Sequence, residues 1–238
     1  MTQSIETYQN HVIIAGFSEY GRVIAKQLAM TLREVVILER CPERCAEAKH
    51  RGFTTVCGVE SEDDLLVTAG AFRASHLVVA MEDFEIAIAT CLSAHALNPH
   101  LEIVARAARE DQLGKMRKAG ARTVIVPDRS AGIDTVNAIA NPRVADLLSR
   151  SANPDEDVAL AEIVVSKGSR LIGRTLKSCG AEEASELSFV ALEREGLDLH
   201  FPPKGTTVLA ENDILVVWGR PSQVQIMLNA ATTLVPAG

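Results

Sequence analysis

The amino-acid sequence predicts a doubly wound α/β fold with a parallel sheet for the first 127 of its 238 residues. One observation is a set of six short, nearly continuous apolar runs, as expected of parallel strands that are buried on both faces. A second observation is that segments with helical spacing separate these apolar runs. Such helices connect neighbouring parallel strands by right-handed crossovers. The six strand candidates are residues 11–16, 34–39, 53–58, 75–81, 101–106 and 122–127.

The first strand candidate leads into a turn of the kind that binds dinucleotides. In HVIIAGFSEYGRVIAKQLA, residues 11–29, Gly16 ends the apolar run and Gly21 lies at the start of a helical segment. Glycines at these positions permit the tight turn and the close packing of helix on strand. Ser18 replaces the middle glycine, and Glu19 places a carboxylate beside it. The pattern favours a ligand-binding turn, although such glycines also help the fold pack without a ligand.

The second strand candidate, EVVILE, ends at Glu39, eighteen residues after Gly21. In dinucleotide-binding folds an acidic residue at this point accepts hydrogen bonds from ribose hydroxyls. The alternative is an ordinary solvated carboxylate at a strand end. Strand, turn, helix, strand and terminal carboxylate together favour ligand binding over packing alone.

The helices of this part are predicted from apolar residues that recur at helical spacing. These residues are Val23, Leu28 and Leu32, then Leu65, Leu66 and Ala69, then Ile86, Ala89, Leu92 and Ala96, and finally Leu113, Met116 and Ala119. The acidic run ESEDD, residues 60–64, stands at the start of one of these helices. We interpret it as a helix start, where the helix dipole favours carboxylates, rather than as a cation site.

The pattern changes after Pro127. A helical segment is interrupted at Pro142 and followed by the polar stretch ANPDEDVA, which predicts a domain boundary near Ser151. Beyond it, short strand candidates, a hairpin turn at Glu195 and Gly196, and a final helix over residues 221–231 predict a small α/β module.

Composition excludes several classes of protein. Net charge is −7, which argues against a general nucleic-acid binder, and the apolar runs are far shorter than the ~20 residues that span a bilayer. The N-terminus shows no secretory signal, so we expect a cytoplasmic protein. Five cysteines without a C-x-x-C pair fit a reducing compartment and give no recurring zinc spacing, so we expect thiols and no metal.

No catalytic signature accompanies the glycine turn. The sequence lacks the P-loop, nucleophile-elbow and H-E-x-x-H motifs, and its six histidines are scattered. We therefore expect a binding module rather than an enzyme, with a small NAD-dependent oxidoreductase as the alternative.

Four segments of the first half resemble, in order and spacing, the regulator-of-K+-conductance (RCK or KTN) domain. They are HVIIAGFSEYGRVIAKQLA, GVESEDDLLVTAGAFRASHLVVAMED, ALNPHLEIVARA and MRKAGARTVIVPDRSAG. The later segments AEIVVSKGSRLIGRTLKSCG and GTTVLAENDILVVWGRPSQVQIM are similar to its C-terminal (TrkA-C) subdomain. The resemblance implies a Rossmann-like domain at 1–128, a crossover helix and linker at 129–157 and an RCK C-terminal subdomain at 158–238.

The resemblance also implies a function. It predicts a cytosolic regulatory subunit or gating-ring protomer, peripheral to the inner membrane, that controls a membrane K+ channel or transporter. The crossover helix would form a homodimer, which would assemble into a tetramer or an octameric ring. A regulator of a cation/proton antiporter and a scaffold without nucleotide binding remain alternatives.

The nucleotide contacts implied by the resemblance lie at strand ends. Glu39 would hold the ribose and Arg106 would face the phosphates. The full set of candidate contacts is Gly16, Phe17, Ser18, Glu19, Tyr20, Gly21, Glu39, Arg40, Glu60, Met81 and Arg106.

Some positions depart from the family pattern. Ser18 and Glu19 stand where many members have glycine and arginine. Where many members have an acidic residue that contacts adenine, this chain has Val59, and Glu60 follows one residue later. We expect Glu19 to repel a phosphate, so we predict an adenine nucleotide with NAD(H), AMP or ADP favoured over ATP. The calcium site of another branch is not expected, because Arg106 replaces a carboxylate there.

Overall fold

The computed structural model describes residues 5–30, 33–153, 156–182, 187–194 and 199–232. The chain divides into two units, Met1–Val136 and Asn137–Gly238. The boundary between Val136 and Asn137 lies upstream of the boundary that we expected near Ser151 from the proline and the polar residues.

All six predicted strands are confirmed, each shortened by one or two residues at one or both ends. They are β1 (Val12–Ala15), β2 (Val35–Glu39), β3 (Thr54–Cys57), β4 (His76–Val79), β5 (Glu102–Arg106) and β6 (Thr123–Ile125). The sheet is parallel in the order β3-β2-β1-β4-β5-β6. The strand order reverses beside β1, and ligands of such sheets bind outside the carboxyl ends of the strands at this point.

Helices follow the strands as expected of a doubly wound fold. They are α1 (Glu19–Met30), α2 (Pro42–His50), α3 (Asp63–Thr68), α4 (Phe84–Leu97), α5 (Leu113–Lys118) and α6 (Pro127–Ala140). The predictions for α1, α3, α4 and α5 are confirmed. The sequence did not predict α2, because it buries only Cys45 and Ala48 and so has almost no apolar periodicity.

The core of the first unit lies on both faces of the sheet. Alternate residues of a strand point to opposite faces, so Ile13 and Ala15 join one apolar cluster while Val12 and Ile14 join the other. This two-sided burial explains why the strands show continuous apolar runs instead of alternation.

The predicted break at Pro142 is confirmed. The helix α6 ends at Ala140, and α7 (Pro142–Ser151) begins with that proline at its first positions, where the missing N–H costs nothing. Among the described residues, neither helix contains a buried one.

Beyond α7, the described residues of the second unit form a three-stranded antiparallel sheet and two further helices. These elements are β7 (Ala159–Val164), α8 (Leu176–Glu182), β8 (Ser188–Glu193), β9 (Ile214–Gly219) and α9 (Pro221–Thr232). The strand order is β7-β9-β8, and α9 confirms the predicted final helix. The predicted hairpin turn at Glu195 and Gly196 lies outside the described residues.

Candidate functional site

A cleft of about 220 Å³ opens at the carboxyl ends of β1, β2, β3 and β4. Its lining residues come from the turns that follow these strands and from the start of α2. They are Gly16, Ser18, Glu39, Arg40, Arg44, Glu60, Met81, Glu82 and Asp83. A larger cavity of about 420 Å³ lies in the second unit, but the cleft is the candidate site because it coincides with the reversal of strand order.

The turn after β1 requires glycine at two positions. Gly16 has a φ of +99°, and a Cβ placed there would lie 2.9 Å from the backbone nitrogen of Met81. A Cβ on Gly21 would lie 2.1 Å from the carbonyl oxygen of Gly16. The first glycine lets the turn pass close to the end of β4, and the second lets α1 pack on that turn.

Glu39 ends β2 as a fully buried carboxylate. Its Oε2 accepts a hydrogen bond of 2.6 Å from the backbone N–H of Phe17, and its Oε1 accepts one of 2.8 Å from that of Cys41. Arg44 donates to Oε1 at 3.0 Å. Burial acts to raise the pKa of Glu39, but these hydrogen bonds and the charge of Arg44 outweigh it and hold the pKa below its ordinary value. The carboxylate therefore stays ionised and fixes the turn.

Glu60 is the second buried carboxylate of the cleft, with 2% exposure. Its Oε1 accepts from the backbone N–H of Arg40 at 3.3 Å, while its buried Oε2 has no hydrogen-bond partner. Burial, together with the nearby charge of Glu39, raises the pKa of Glu60 above its ordinary value. An unsatisfied buried oxygen at a cleft wall is a natural hydrogen-bonding point for a ligand.

Ser18 and Glu19 are neighbours in sequence but differ in position. Ser18 lines the cleft, and its hydroxyl lies 3.5 Å from the carbonyl oxygen of Ala80. The side chain of Glu19 is 83% exposed and forms a 2.9 Å ion pair with Arg22, whose other nitrogen lies 3.0 Å from Glu47. Glu19 therefore does not line the cleft, and the structure gives no support to the expectation that this carboxylate repels a bound phosphate.

Arg106 ends β5 beside the first turn of α1. Its guanidinium carbon lies 5.8 Å from the ring centroid of Tyr20, which is a cation–π distance. Its Nε is buried without a hydrogen-bond partner. The structure thus places a basic group near the helix N-terminus, although Arg106 does not line the cleft itself.

The structure gathers six of the eleven predicted contacts around the cleft: Gly16, Ser18, Glu39, Arg40, Glu60 and Met81. The others, Phe17, Glu19, Tyr20, Gly21 and Arg106, do not line it, and Phe17 is fully buried in the core. Sequence reasoning missed Arg44, Glu82 and Asp83. The position of Glu82 and Asp83 directly after a parallel strand was an available signal, whereas Arg44 lies on the helix that the sequence did not reveal.

In the part of the chain that the structure describes, no helix has the length and apolar character needed to cross a membrane. Within the same residues, no cluster of three or more His, Cys, Asp or Glu side chains is arranged to hold a metal ion.

Fold and cleft together define a protein with two units. The first is a doubly wound α/β unit whose candidate site is a pocket of the dinucleotide-binding type, and the second is small. A family model described as the TrkA-N domain matches residues 12–127, and one described as the TrkA-C domain matches residues 160–230. The two matches cover more than three-quarters of the chain. The chain therefore belongs to the RCK family of TrkA-N and TrkA-C proteins, as the sequence resemblance indicated.

Two relatives illustrate the membership. The chain is 28% identical over 228 residues to Potassium channel protein 1 of Methanocaldococcus jannaschii, covering 94% of this chain and 68% of that protein. It is 30% identical over 125 residues to the glutathione-regulated potassium-efflux system protein KefC of Salmonella paratyphi B, covering 52% of this chain and 20% of KefC.

Solved structures of the GsuK channel share the fold. One covers 97% of this chain and 41% of that chain, with a TM-score of 0.51 and 19% identity. Another, of GsuK bound to ADP, covers 57% of this chain and 36% of that chain, also with a TM-score of 0.51 and 19% identity. This chain thus spans less than half of the GsuK chain.

Proposed function

We propose that this protein is a cytosolic regulatory subunit or gating-ring protomer that senses an adenine nucleotide and thereby controls K+ flux through a membrane channel or transporter. Family membership supports the K+ part of the proposal, because the relatives include a potassium channel protein and a potassium-efflux system protein. The same two relatives leave open whether the partner is a channel or an efflux antiporter.

The observation that carries nucleotide sensing is the cleft beside the glycine turn. The cleft combines position 16, where only glycine fits, with the first turn of α1 and two buried carboxylates. The first N–H groups of a helix have no partner within the helix and carry the positive end of its dipole, so phosphate groups bind there. Ser18 adds a hydroxyl at the same place, and Arg106 adds a positive charge beside Tyr20.

The charges of the cleft favour nucleotides with few phosphates. Its lining contains the carboxylates of Glu39, Glu60, Glu82 and Asp83 but only two arginines, Arg40 and Arg44. Arg44 is already paired with Glu39, and Arg40 lies 3.9 Å from Asp83. Each further phosphate adds negative charge without a new cation, so we retain AMP, ADP and NAD(H) over ATP. The GsuK structure that contains ADP is in keeping with this choice.

The buried carboxylates suggest how the adenosine part binds. Glu39 uses three of its roughly four acceptor positions within the protein, so it has little capacity left for a ribose hydroxyl. Glu60 has a free Oε2, which makes it the better acceptor for a ribose hydroxyl or an adenine amino group. Within this proposal, Glu39 shapes the turn and Glu60 contacts the ligand.

A second copy of the chain is the proposed partner of α6. Its apolar residues Ile133, Val136 and Ile139 are 52%, 62% and 79% exposed, and they recur at the spacing of one helix face. The described part of α6 contains no buried residue, so this helix gains no core packing of its own. A homodimer that covers the face would explain its apolar character, and tetramers or octameric rings would build on it.

Regulation requires a nucleotide to bind one arrangement of the dimer better than another. Only that difference in affinity shifts the population of states and does work on a membrane pore. A nucleotide that bound both arrangements equally would change nothing.

The direct test is thermal unfolding of the purified protein with AMP, ADP, ATP, NAD and NADH. A ligand present at 100 times its Kd adds about 2.7 kcal/mol to the free energy of unfolding, so binding raises Tm clearly. We expect AMP, ADP, NAD or NADH to raise Tm more than ATP at equal concentration. No shift with any of the five would favour the alternative, a scaffold with the RCK fold and no nucleotide.

Light scattering tests the dimer. We expect wild type to be at least a dimer at micromolar concentration and Ile139→Glu to be smaller, because a charge on a covered apolar face is costly. Val67→Glu, on the exposed face of α3, is the matched control and should leave the mass unchanged. A monomeric wild type with and without nucleotide would refute the assembly.

We also propose that the protein is not an enzyme. The cleft lining contains no histidine, lysine, tyrosine or cysteine, so its candidate proton donors for a reaction with hydride transfer are its carboxylates and the Ser18 hydroxyl. Oxidation of NADH, followed by its absorbance with a panel of aldehydes and ketones, would revive the oxidoreductase alternative.

A further inference from the structure

Three cysteines lie near Glu39, and two of them, Cys45 and Cys57, flank its backbone from α2 and from the neighbouring strand β3. Cys45, on α2, is buried with 4% exposure, and its Sγ donates to the backbone carbonyl of Glu39 at 3.0 Å. Cys57, the last residue of β3, is exposed and is the cross-strand neighbour of Glu39. Cys57 thus lies beside the residue whose backbone carbonyl accepts the hydrogen bond from Cys45. None of the proposed nucleotide contacts uses either thiol.

Strand geometry places these two thiols on the same side of the sheet. Phe53 packs with Ala48 of α2 in one core cluster, whereas Val56 belongs to the cluster on the opposite face. Side chains of a strand alternate, so Cys57 shares the face of Phe53 and points to the side that α2 covers. The backbone N–H of Gly58 donates to the same Glu39 carbonyl, at 3.0 Å, and holds the end of β3 against β2.

The other cysteines have different surroundings. The thiol of Cys41 donates to the Glu43 carboxylate at 2.9 Å. Cys91 is fully buried, and burial alone raises its pKa to about 12. Burial also raises the pKa of Cys45 to about 12, but there the contact with Cys57 contributes. Cys45 and Cys57 therefore form the thiol pair with one solvent-exposed member.

We propose that Cys45 and Cys57 are a modification site, a dithiol that a hydroperoxide converts reversibly into a disulfide. The exposed Cys57 reacts first, since access and thiolate character control oxidation. Its thiolate attacks one oxygen of hydrogen peroxide, the O–O bond breaks, and the departing hydroxide takes up a proton to leave water and a Cys57 sulfenic acid.

Cys45 resolves this intermediate. Its sulfur attacks the sulfur of Cys57, the S–O bond breaks, and the departing hydroxide takes the thiol proton of Cys45 to form a second water. Two thiols and one peroxide thus give one disulfide and two waters. The thiol proton that Cys45 donated to the Glu39 carbonyl is lost, so the modification acts next to the residue that fixes the glycine turn.

Peptide mapping tests the proposal without reference to nucleotide. Trypsin cuts after Arg44, Lys49 and Arg51, so Cys41, Cys45 and Cys57 fall on three separate peptides. After treatment of the protein with hydrogen peroxide and alkylation of free thiols, we expect the Cys45 and Cys57 peptides to appear linked, lighter by two hydrogens than their sum. Dithiothreitol should restore both.

Cys57→Ser should abolish the link, and as an exposed substitution it should leave the fold intact. Cys41→Ser is the matched control and should keep the link. Peroxide that left both thiols free, that oxidised Cys57 without joining it to Cys45, or that joined Cys57 to Cys41 instead would overturn the proposal.

Discussion

The backbone N–H of Phe17 donates a 2.6 Å hydrogen bond to the Glu39 carboxylate, which ties the turn after β1 to the end of β2. The acceptor carries a full charge in a buried place, and Cys41 and Arg44 hold it there. In many dinucleotide folds the equivalent carboxylate receives the ribose. In this protein the carboxylate is engaged mainly by its own chain, and the unsatisfied oxygen of the cleft belongs to Glu60.

Gly16→Ala should destabilise the first unit more than Gly52→Ala. Both glycines have positive φ, +99° and +88°, so an alanine at either costs about 1–2 kcal/mol in backbone strain. Only at Gly16 does the added Cβ also meet backbone, the Met81 nitrogen at 2.9 Å, whereas nothing lies within 4 Å of it at Gly52. Urea unfolding should show the larger loss for Gly16→Ala. Equal losses would mean that the close approach to β4 relaxes freely.

In the second unit, Arg194→Met should cost about 2–3 kcal/mol of unfolding free energy. Asp213 is fully buried and accepts two hydrogen bonds from Arg194, at 2.6 and 2.7 Å, so the substitution leaves a buried charge unpaired. Removing one partner of a fully buried ion pair costs about 3–5 kcal/mol. The expected cost is smaller here because Arg194 is 34% exposed.

Arg109→Met is the control for that substitution. Arg109 pairs with Asp111 on the surface, with both side chains more than half exposed, and such solvent-screened pairs contribute little to stability. A similar loss for the two arginine variants in chemical denaturation would show that the Asp213 pair is not desolvated as the structure indicates.

Stability should decline as pH falls below about 6.5, in part because of His11. This histidine is 1% exposed, and burial lowers its pKa below the ordinary value of 6.5, with Arg73 adding to the effect. The unfolded chain therefore binds a proton that the folded chain refuses, so the stability present above pH 6.5 is lost as pH decreases. The comparison is urea unfolding at pH 7.5 and 5.5.

His11→Gln should lose less stability between those pH values than wild type, since it cannot titrate. Its amide can still donate to the Ala69 carbonyl, which lies 2.9 Å from Nε2 of His11. His100→Gln, at an exposed position, is the control and should behave as wild type. An unchanged pH dependence in His11→Gln would assign the effect to other groups.

The fold was largely predictable from the sequence because the central strands β1 and β2 are buried on both faces and so show continuous apolar runs. The helix α2 was not predicted, since Cys45 and Ala48 are its only buried residues and leave almost no apolar periodicity. The position of the glycine turn and of Glu39 followed from the order of strand, turn and helix. The directions of the side chains in this turn could not be predicted in the same way. Ser18 faces the cleft and Glu19 faces Arg22, and this difference depends on how α1 is rotated about its axis.

The contrast between Ser18 and Glu19 gives the most direct test of nucleotide binding in the cleft. Ser18→Asp keeps a good residue at the position before the helix but places a carboxylate in the cleft, which costs on the order of 1 kcal/mol or more within ~4 Å of a phosphate. Glu19→Gln changes the charge one residue away, on the exposed face of α1. The measurement is calorimetric titration of AMP, ADP and NAD into wild type and both variants. We predict that wild type and Glu19→Gln bind with similar Kd and that Ser18→Asp binds about tenfold more weakly or worse. No binding by folded wild type, or equal binding by Ser18→Asp, would contradict a nucleotide site in this cleft.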